Sequence, residues 1–356
     1  MRNEIGIFNE LAGKDAGDEV LYSLDGRVAT ITFNREDAHN AYSTAGLIRT
    51  KELFDQASTD NRVGVIVFTS KGHTARCAGG DVKEYFEQYC KFPVEYRKYI
   101  DNAFIPFVES ILYNDKLVIL RENGFSVGGG WETKLACDLV VSGEHIYNKQ
   151  VGTAHGSVAA GGSTQWHPLH TGDKIAREIL FLNERYDAWT LFHMGHSNII
   201  AATVKKGDAF ATRFKSGKGF ITQYEYDHIF PHEVVLARAS KDEIKNALKN
   251  KEGYSIDLRN LDEATEDLCK RVLNHFPVCT AQTKRFLNHL KISQWEHAKQ
   301  HVGPMLVANY LLEGGEGQEG FGSFNEKRHP DYEGIWKGIQ ESGLPQVPKC
   351  NCEEEE

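Results

Sequence analysis

The residues best suited to chemistry lie in one stretch, Gly124-Phe125-Ser126-Val127-Gly128-Gly129-Gly130-Trp131-Glu132-Thr133-Lys134-Leu135-Ala136-Cys137-Asp138. Apolar residues run into it from Leu117-Val118-Ile119-Leu120, and helix-forming residues follow the three consecutive glycines. This predicts strand, tight turn and helix. Glycines at such a junction let backbone N–H groups approach a ligand, and the positive end of the helix adds to the attraction for an anion. Glu132 falls in the first turn of that helix. An electrophile-activating pocket and an acid/base would then share one turn. A second loop of the same kind, Cys77-Ala78-Gly79-Gly80-Asp81, follows the apolar strand Val63–Thr69. Two such loops could present a pair of amide donors to one oxygen.

The elements that must position these loops read as an α/β chain. Val20–Leu24 and Arg27–Phe33 are β-rich runs around Asp25-Gly26, a hairpin signal. Residues 1–18 read as an irregular lead-in. Ser43 caps a helix running to about Ser58. Strand Val63–Thr69 is apolar enough to be buried on both faces. A tyrosine-rich stretch from Val82 to Tyr113 should be broken by Pro93 and Pro106. Leu139–Ser142 is a further short strand, and Gln150–Gln165 is a third Gly/Ala/Ser-rich loop opening onto helices over Trp166–Leu182 and Ala188–Met194. Ser197–Val204 reads as a final short strand. These patterns divide the chain into a core over 1–204, an insertion or excursion over 205–259, and a helical region over 260–356 that covers the core or packs on a neighbouring subunit.

Composition narrows the class of function. The 356 residues carry a formal charge of −9, with 40% hydrophobic and 26% charged residues, which suits a soluble globular protein. That balance provides no electrostatic footprint for nucleic acid or an anionic membrane. No apolar run approaches the ~20 residues needed to span a bilayer. The seven cysteines form no paired framework, and the N-terminus carries no apolar signal core, which together predict a cytoplasmic protein. Cys350-Asn351-Cys352 and the four glutamates after it read as a solvated acidic tail. The pairs His167/His170, His193/His196 and His297/His301 lack accompanying Cys or acidic ligands, so no metal site is expected. Neither a Walker-type loop nor a dinucleotide fingerprint is present.

The sequence resembles the crotonase superfamily, the enoyl-CoA hydratase/isomerase family. The resemblance is carried by Val28-Ala29-Thr30-Ile31-Thr32-Phe33-Asn34-Arg35 with Asn40-Ala41, by Val65–Thr69 with Cys77–Asp81, and by Asn123–Asp138. Glu319-Gly320-Phe321, Phe324 and Glu326–Pro330 look like that family's closing motif. The resemblance implies a spiral of ββα units with a C-terminal helical region, assembled as a homotrimer or a dimer of trimers and acting on acyl-CoA thioesters. Coenzyme A would enter only as part of the substrate, with no separate cofactor. It also implies that the Gly80 and Gly129 amides form an oxyanion hole for the thioester carbonyl. Ala38 and Ala78 would belong to the coenzyme A site with those two glycines, and Lys83 matches a position that contacts its phosphate.

Departures from the family pattern bear on the reaction. Hydratases of this family hold water between two glutamates; Glu132 matches the first, and the second falls on Gly152. The segment Gln150–Ser157 looks like the branch that makes or breaks C–C bonds in β-oxoacyl-CoA substrates, although Ala159 stands where that branch carries an aspartate. The runs Gly79–Tyr85, Glu95–Tyr99, His155-Gly156-Ser157 with Gly161-Gly162, Ile256–Leu258 with Leu261-Asp262, and His275-Phe276-Pro277 are similar to the ring-opening hydrolases of anaerobic benzoyl-CoA degradation. That likeness implies water addition to, and hydrolytic C–C cleavage of, a cyclic β-oxoacyl-CoA such as 6-oxocyclohex-1-ene-1-carbonyl-CoA. Glu132 would be the general acid/base, with His155 and Ser157 as further catalytic candidates; Tyr85, Tyr89, Tyr96 and Tyr99 could line the acyl pocket. Two other readings stay open: a hydratase or isomerase of enoyl-CoA, and a non-catalytic crotonase-like RNA-binding or scaffold protein.

Overall fold

The hairpin at Asp25-Gly26 forms as expected. Strands β1 (Val20–Asp25) and β2 (Val28–Phe33) pair antiparallel with Asp25 opposite Val28, and Gly26 takes a positive φ of 54°. The computed structural model describes residues 6–228, 234–311 and 315–342. The Cys350-Asn351-Cys352 pair and the acidic tail lie outside the described residues.

Further along the chain, β3 (Val65–Ser70) and β4 (Ala75–Cys77) are followed by β5 (Leu117–Glu122) and β6 (Phe125–Val127), then by β7 (Leu139–Gly143) and β8 (Tyr147–Lys149). The strand β9 is Tyr186–Asp187 and β10 is Ile199–Ala201. A seven-stranded sheet runs in the order β1-β2-β3-β5-β7-β10 and ends on Phe220–Thr222, while β4, β6, β8 and β9 form a separate four-stranded sheet. Each repeat therefore places one strand in the large sheet and the next in the small one, then turns into helix. This is the spiral of ββα units. Because β4, β6 and β8 lie parallel side by side, the loops that leave them emerge at one edge. Those loops are the two glycine loops and the segment from Gln150 to Ser157.

The strand sequences explain the burial. All six residues of β3 are buried, as its apolar run requires, because helices cover both faces of the large sheet. Ile66 and Phe68 join the main core with Leu47, Phe54 and Phe107. Val65 and Val67 face the other way, with Ile119, Val141 and Ile199, against Leu261, Ala264 and Leu268 of the helix Arg259–Leu273. That helix supplies the second cover.

Several local expectations change. The lead-in contains a helix, Ile7–Ala12, whose Phe8 and Leu11 are three residues apart and both buried. Pro93 starts a helix, Pro93–Tyr99, instead of merely ending one, which suits a residue without an amide hydrogen. Pro106 does not break the chain's helical path: a π-helical stretch, Ile100–Phe104, runs into Ile105–Leu112 with the proline near its start. The expected helix from Trp166 to Leu182 is two helices, Ser163–Thr171 and Asp173–Leu182, separated by Gly172 at φ 78°. Strand β10 is not the last. Val204–Lys206 pairs with Tyr254–Ile256, closing the 205–259 segment into a small sheet, and Phe220–Thr222 from within that segment extends the large one. The Ser43 cap is present, its hydroxyl accepting from the Gly46 amide at 2.9 Å.

Candidate active site

Where the three loops meet there is a cavity of about 330 Å³, and Glu132 is the only carboxylate among its described lining residues. The helix Gly129–Ala136 delivers that side chain. Gly128 precedes it at φ 54° and ψ −124°, a conformation that a Cβ would strain. Its amide donates to the Lys149 carbonyl at 3.0 Å, tying the turn to β8. From behind, fully buried Arg76 donates to the Gly130 carbonyl and, at 2.9 Å, to Thr133 Oγ1. A Cβ on Gly130 would overlap the Cys77 carbonyl, so the helix start packs flush on the end of β4.

The two glycine loops come together. A Cβ built on Gly79 would sit 3.4 Å from the Gly129 nitrogen. Tyr42 forms a single parallel bridge with Gly80: its amide donates to the Gly79 carbonyl and its carbonyl accepts from the Asp81 amide, both at 3.0 Å. In a parallel bridge the middle residue's own amide points away from its partner, so the Gly80 N–H is turned outward. Neither the Gly80 nor the Gly129 amide has a hydrogen-bond partner among the described residues, and both residues line the cavity. Unmatched N–H groups at a cavity wall suit an acceptor that arrives with a ligand.

Glu132 is 3% exposed, and burial pushes its carboxyl up to about 7, against the lowering effect of the Gly161 amide and the Ser163 hydroxyl. The Ser163 hydroxyl accepts from Gln150 Nε2 at 2.7 Å, which leaves its hydrogen to face the carboxylate. Glu132 Oε1 has no hydrogen-bond partner among the described residues. A carboxyl with one free oxygen and a pKa near neutrality can both accept and return a proton.

His155, Ser157 and Ala78 line the same cavity. The His155 Nδ1 lies 3.0 Å from the Val151 carbonyl, and burial lowers its pKa, so the ring is neutral with Nε2 as its remaining acceptor. Gly152 also lines the wall, with no carboxylate opposite Glu132. The helix Glu316–Glu326 closes this side: a Cβ on Gly320 would overlap the His155 carbonyl, and Phe324 meets the His155 ring at 5.4 Å. Ala38 and Lys83 are not brought into the cavity. Ala38 ends the short turn Glu36–Ala38, next to the lining residue His39, and Lys83 points to solvent with its nearest acid, Glu87, 4.0 Å away.

Tyr85, Tyr96 and Tyr99 line the cavity, whereas Tyr89 packs behind them and meets Thr44 Oγ1 at 2.7 Å. The sequence reading missed Tyr42, Lys149 and Arg185. Tyr42 directly follows the Asn40-Ala41 pair, and that adjacency is the one signal that could have drawn attention to it.

The family model described as enoyl-CoA hydratase/isomerase matches residues 24–208, which include both glycine loops, Glu132 and His155. The chain belongs to this family. Its crotonase fold is shared with the solved structure of Pseudomonas aeruginosa OdaA, at a TM-score of 0.63 and 20% identity over 86% of this chain and 99% of that one. An enoyl-CoA hydratase from Mycobacterium avium subsp. paratuberculosis gives 0.62 and 18% over 88% and 98%. Among curated relatives, the 6-oxocyclohex-1-ene-1-carbonyl-CoA hydrolase of Geobacter metallireducens is 33% identical over 301 residues, 84% of this chain and 76% of that one. The enzyme of the same name from Thauera aromatica is 32% identical over 299 residues, 83% and 76% of the two chains. As a member of the enoyl-CoA hydratase/isomerase family the chain is an acyl-CoA-acting enzyme.

Behind the helix Gly129–Ala136 of this crotonase, histidines of two of the sequence pairs meet across those pairs, whereas His297 and His301 lie together as spaced, with ring centroids 6.0 Å apart. His167, His170 and His196 approach with ring centroids 5.0 and 5.4 Å apart, and Trp131 stands 4.6 Å from His167. Among the described residues no group of three or more His, Cys, Asp or Glu could hold a metal ion. Burial lowers His167 to about 3 and His170 to about 4, and both ring nitrogens of His167 lack partners among the described residues. These rings fold neutral. Their stabilising contribution is complete above the unfolded value near 6.5 and is lost as pH falls towards 4, because the unfolded chain then binds protons that the fold refuses. Thermal unfolding midpoints should therefore drop steadily from pH 6.5 to 4, and His167→Phe should flatten that slope; an unchanged slope would remove the cluster from the account. No described helix is long and apolar enough to cross a membrane.

Proposed function

We propose that the protein opens the ring of a cyclic β-oxoacyl-CoA resembling 6-oxocyclohex-1-ene-1-carbonyl-CoA, by water addition and hydrolytic C–C cleavage. The observation that carries this reading is a single near-neutral carboxyl, Glu132, in the same cavity as two unpartnered glycine amides, with Gly152 in place of a second carboxylate. The names of the similar hydrolases support the same substrate class.

In the cleavage step, Glu132 takes a proton from water as the oxygen bonds to the ring ketone carbon. The ring C–C bond breaks, and its electron pair moves into a thioester enolate. Negative charge then concentrates on the thioester oxygen, where the Gly80 and Gly129 amides receive it; donors placed for that state accelerate the step more than they tighten substrate binding. Protonated Glu132 returns its proton to the enolate carbon. The new carboxylic acid and the thioester end up on one open chain. In this reading His155 and Ser157 orient water or the ring ketone from the cavity wall, while Ala78 at the wall, with Ala38 and Lys83 outside the cavity, would hold coenzyme A. A second copy of the chain would pack on the apolar face of the helix Pro277–Leu287, where Phe286 is 80% and Leu287 75% exposed, in a trimer or dimer of trimers.

Incubating the purified protein with 6-oxocyclohex-1-ene-1-carbonyl-CoA and with crotonyl-CoA tests the reading by product mass. The expected product of the cyclic substrate has gained two water molecules and is acyclic. Turnover of crotonyl-CoA alone would replace ring opening with simple hydration. Retention of RNA with no turnover of either thioester would favour a binding protein.

A further inference from the structure

The hole has a third component that neither its motif nor the proposed reaction assigns. Tyr42 is 4% exposed, yet its hydroxyl has no hydrogen-bond partner among the described residues and the residue lines the cavity. A Cβ built on Gly129 would overlap that hydroxyl, so the phenol stands directly over the Gly129 Cα. The same residue's backbone holds Gly80 through the two 3.0 Å bonds of the bridge. One tyrosine thus sets one amide with its main chain and flanks the other with its side chain.

Its ring is fixed for this role. Phe104 stacks on it at 6.2 Å and 27°, and Phe107 and Phe33 close the other sides at 6.1 and 6.5 Å. Tyr85 makes an instructive contrast. A Cβ on Gly80 would overlap the Tyr85 hydroxyl in the same way, but that hydroxyl is engaged with Tyr99 Oη at 2.6 Å. Of the two phenols that stand over the glycines, Tyr42 is the one without a hydrogen-bond partner among the described residues. A hydroxyl at the cavity wall without a protein partner keeps its hydrogen for an acceptor that arrives with the ligand.

Resting on the oxyanion-hole reading above, we propose that Tyr42 donates its phenolic hydrogen to the thioester oxygen as the third donor of the hole. Burial, with Cys77 and Glu132 nearby, raises the phenol well above its ordinary range, so it donates a hydrogen bond and keeps its proton. The bond strengthens as charge moves onto the oxygen and weakens again when the enolate carbon is protonated.

The test uses Tyr42→Phe, which keeps the ring and the backbone bridge, and 4-dimethylaminocinnamoyl-CoA as the probe. The absorption of this conjugated thioester moves to longer wavelength when its carbonyl is polarised by donors. The wild-type protein should shift the band on binding, and Tyr42→Phe should shift it distinctly less. With the 6-oxo substrate kcat should fall on the order of 10–10²-fold while KM changes little, as expected for a donor used mainly in the transition state. An identical band position in both proteins, with wild-type polarisation intact, would overturn the role of Tyr42 and leave the two-amide hole standing. Binding without any shift in the wild-type protein would overturn the hole and this proposal with it.

Discussion

Glu132→Gln is expected to abolish turnover and, at pH 8, to make the protein more stable. The two effects have one cause. The carboxyl is buried beneath Gly161 and Phe104, where burial lifts its pKa from the ordinary 4.5 to about 7. A raised folded-state pKa means that the fold favours the protonated form. The group's stabilising contribution is therefore complete below pH 4.5 and is lost as pH rises through 7. The gap, at ~1.4 kcal/mol for each factor of ten, amounts to about 3 kcal/mol of stability forgone at pH 8. Glutamine is a neutral mimic of the protonated acid and avoids that cost at every pH. Activity should fall by on the order of 10²–10⁴, the usual contribution of a positioned acid/base. Thermal unfolding of both proteins at matched concentration should show the variant clearly higher at pH 8 and nearly level with wild type at pH 4.5. A variant less stable than wild type at pH 8 would mean that the carboxylate is satisfied in the fold, and Glu132 would lose its standing as a poised base.

How much of this was legible in the sequence depends on how local each feature is. The Gly128-Gly129-Gly130 turn, the Ser43 cap and the hairpin at Asp25-Gly26 rest on backbone preferences of a few residues, and each formed where the pattern placed it. Glu132 was legible for the same reason, since its position in the first helical turn follows from the glycines before it. Phe220–Thr222 was not, because a three-residue strand is defined by its partner: it pairs with β10 across an excursion whose own periodicity carries no signal. Pro106 misled because the rule against proline assumes an unbroken α-helical ladder. The π-helical turn before it absorbs the missing donor. Tyr42 is the strongest case. Its backbone bridge to Gly80 spans 38 residues of sequence, and its hydroxyl reaches Gly129 across a further 49, so no window of sequence contains the relationship. The helix Arg259–Leu273 announced its apolar stripe plainly, but only packing shows that the stripe covers Val65, Val67 and Ile119 on the sheet.

Gly80→Ala and Gly129→Ala should each reduce kcat/KM by on the order of 10²–10³, the typical effect of losing one oxyanion donor, while the double variant loses much less than the product of the two. Neither glycine has a positive φ, so backbone strain is not the reason. At Gly80 the new methyl would collide with the Tyr85 phenol, which cannot step aside: Tyr99 holds its hydroxyl at 2.6 Å, and Tyr96 and Phe321 pack its ring at 5.7 and 5.6 Å. The loop must move instead, taking the amide out of line. At Gly129 the obstacle is the Tyr42 hydroxyl alone, since the ring carbon behind it would be 3.1 Å from the methyl. In the proposed hole both amides serve one oxygen, so once either is misaimed the oxygen shifts away from the other as well, which makes the losses overlap. Gly207→Ala is the control: that residue has a φ of 57° and nothing within 4 Å of an added Cβ, so it should lose about 1 kcal/mol of stability and no activity. Full multiplicative losses in the double variant would show that Gly80 and Gly129 act on separate parts of the substrate, and the shared hole would have to be abandoned.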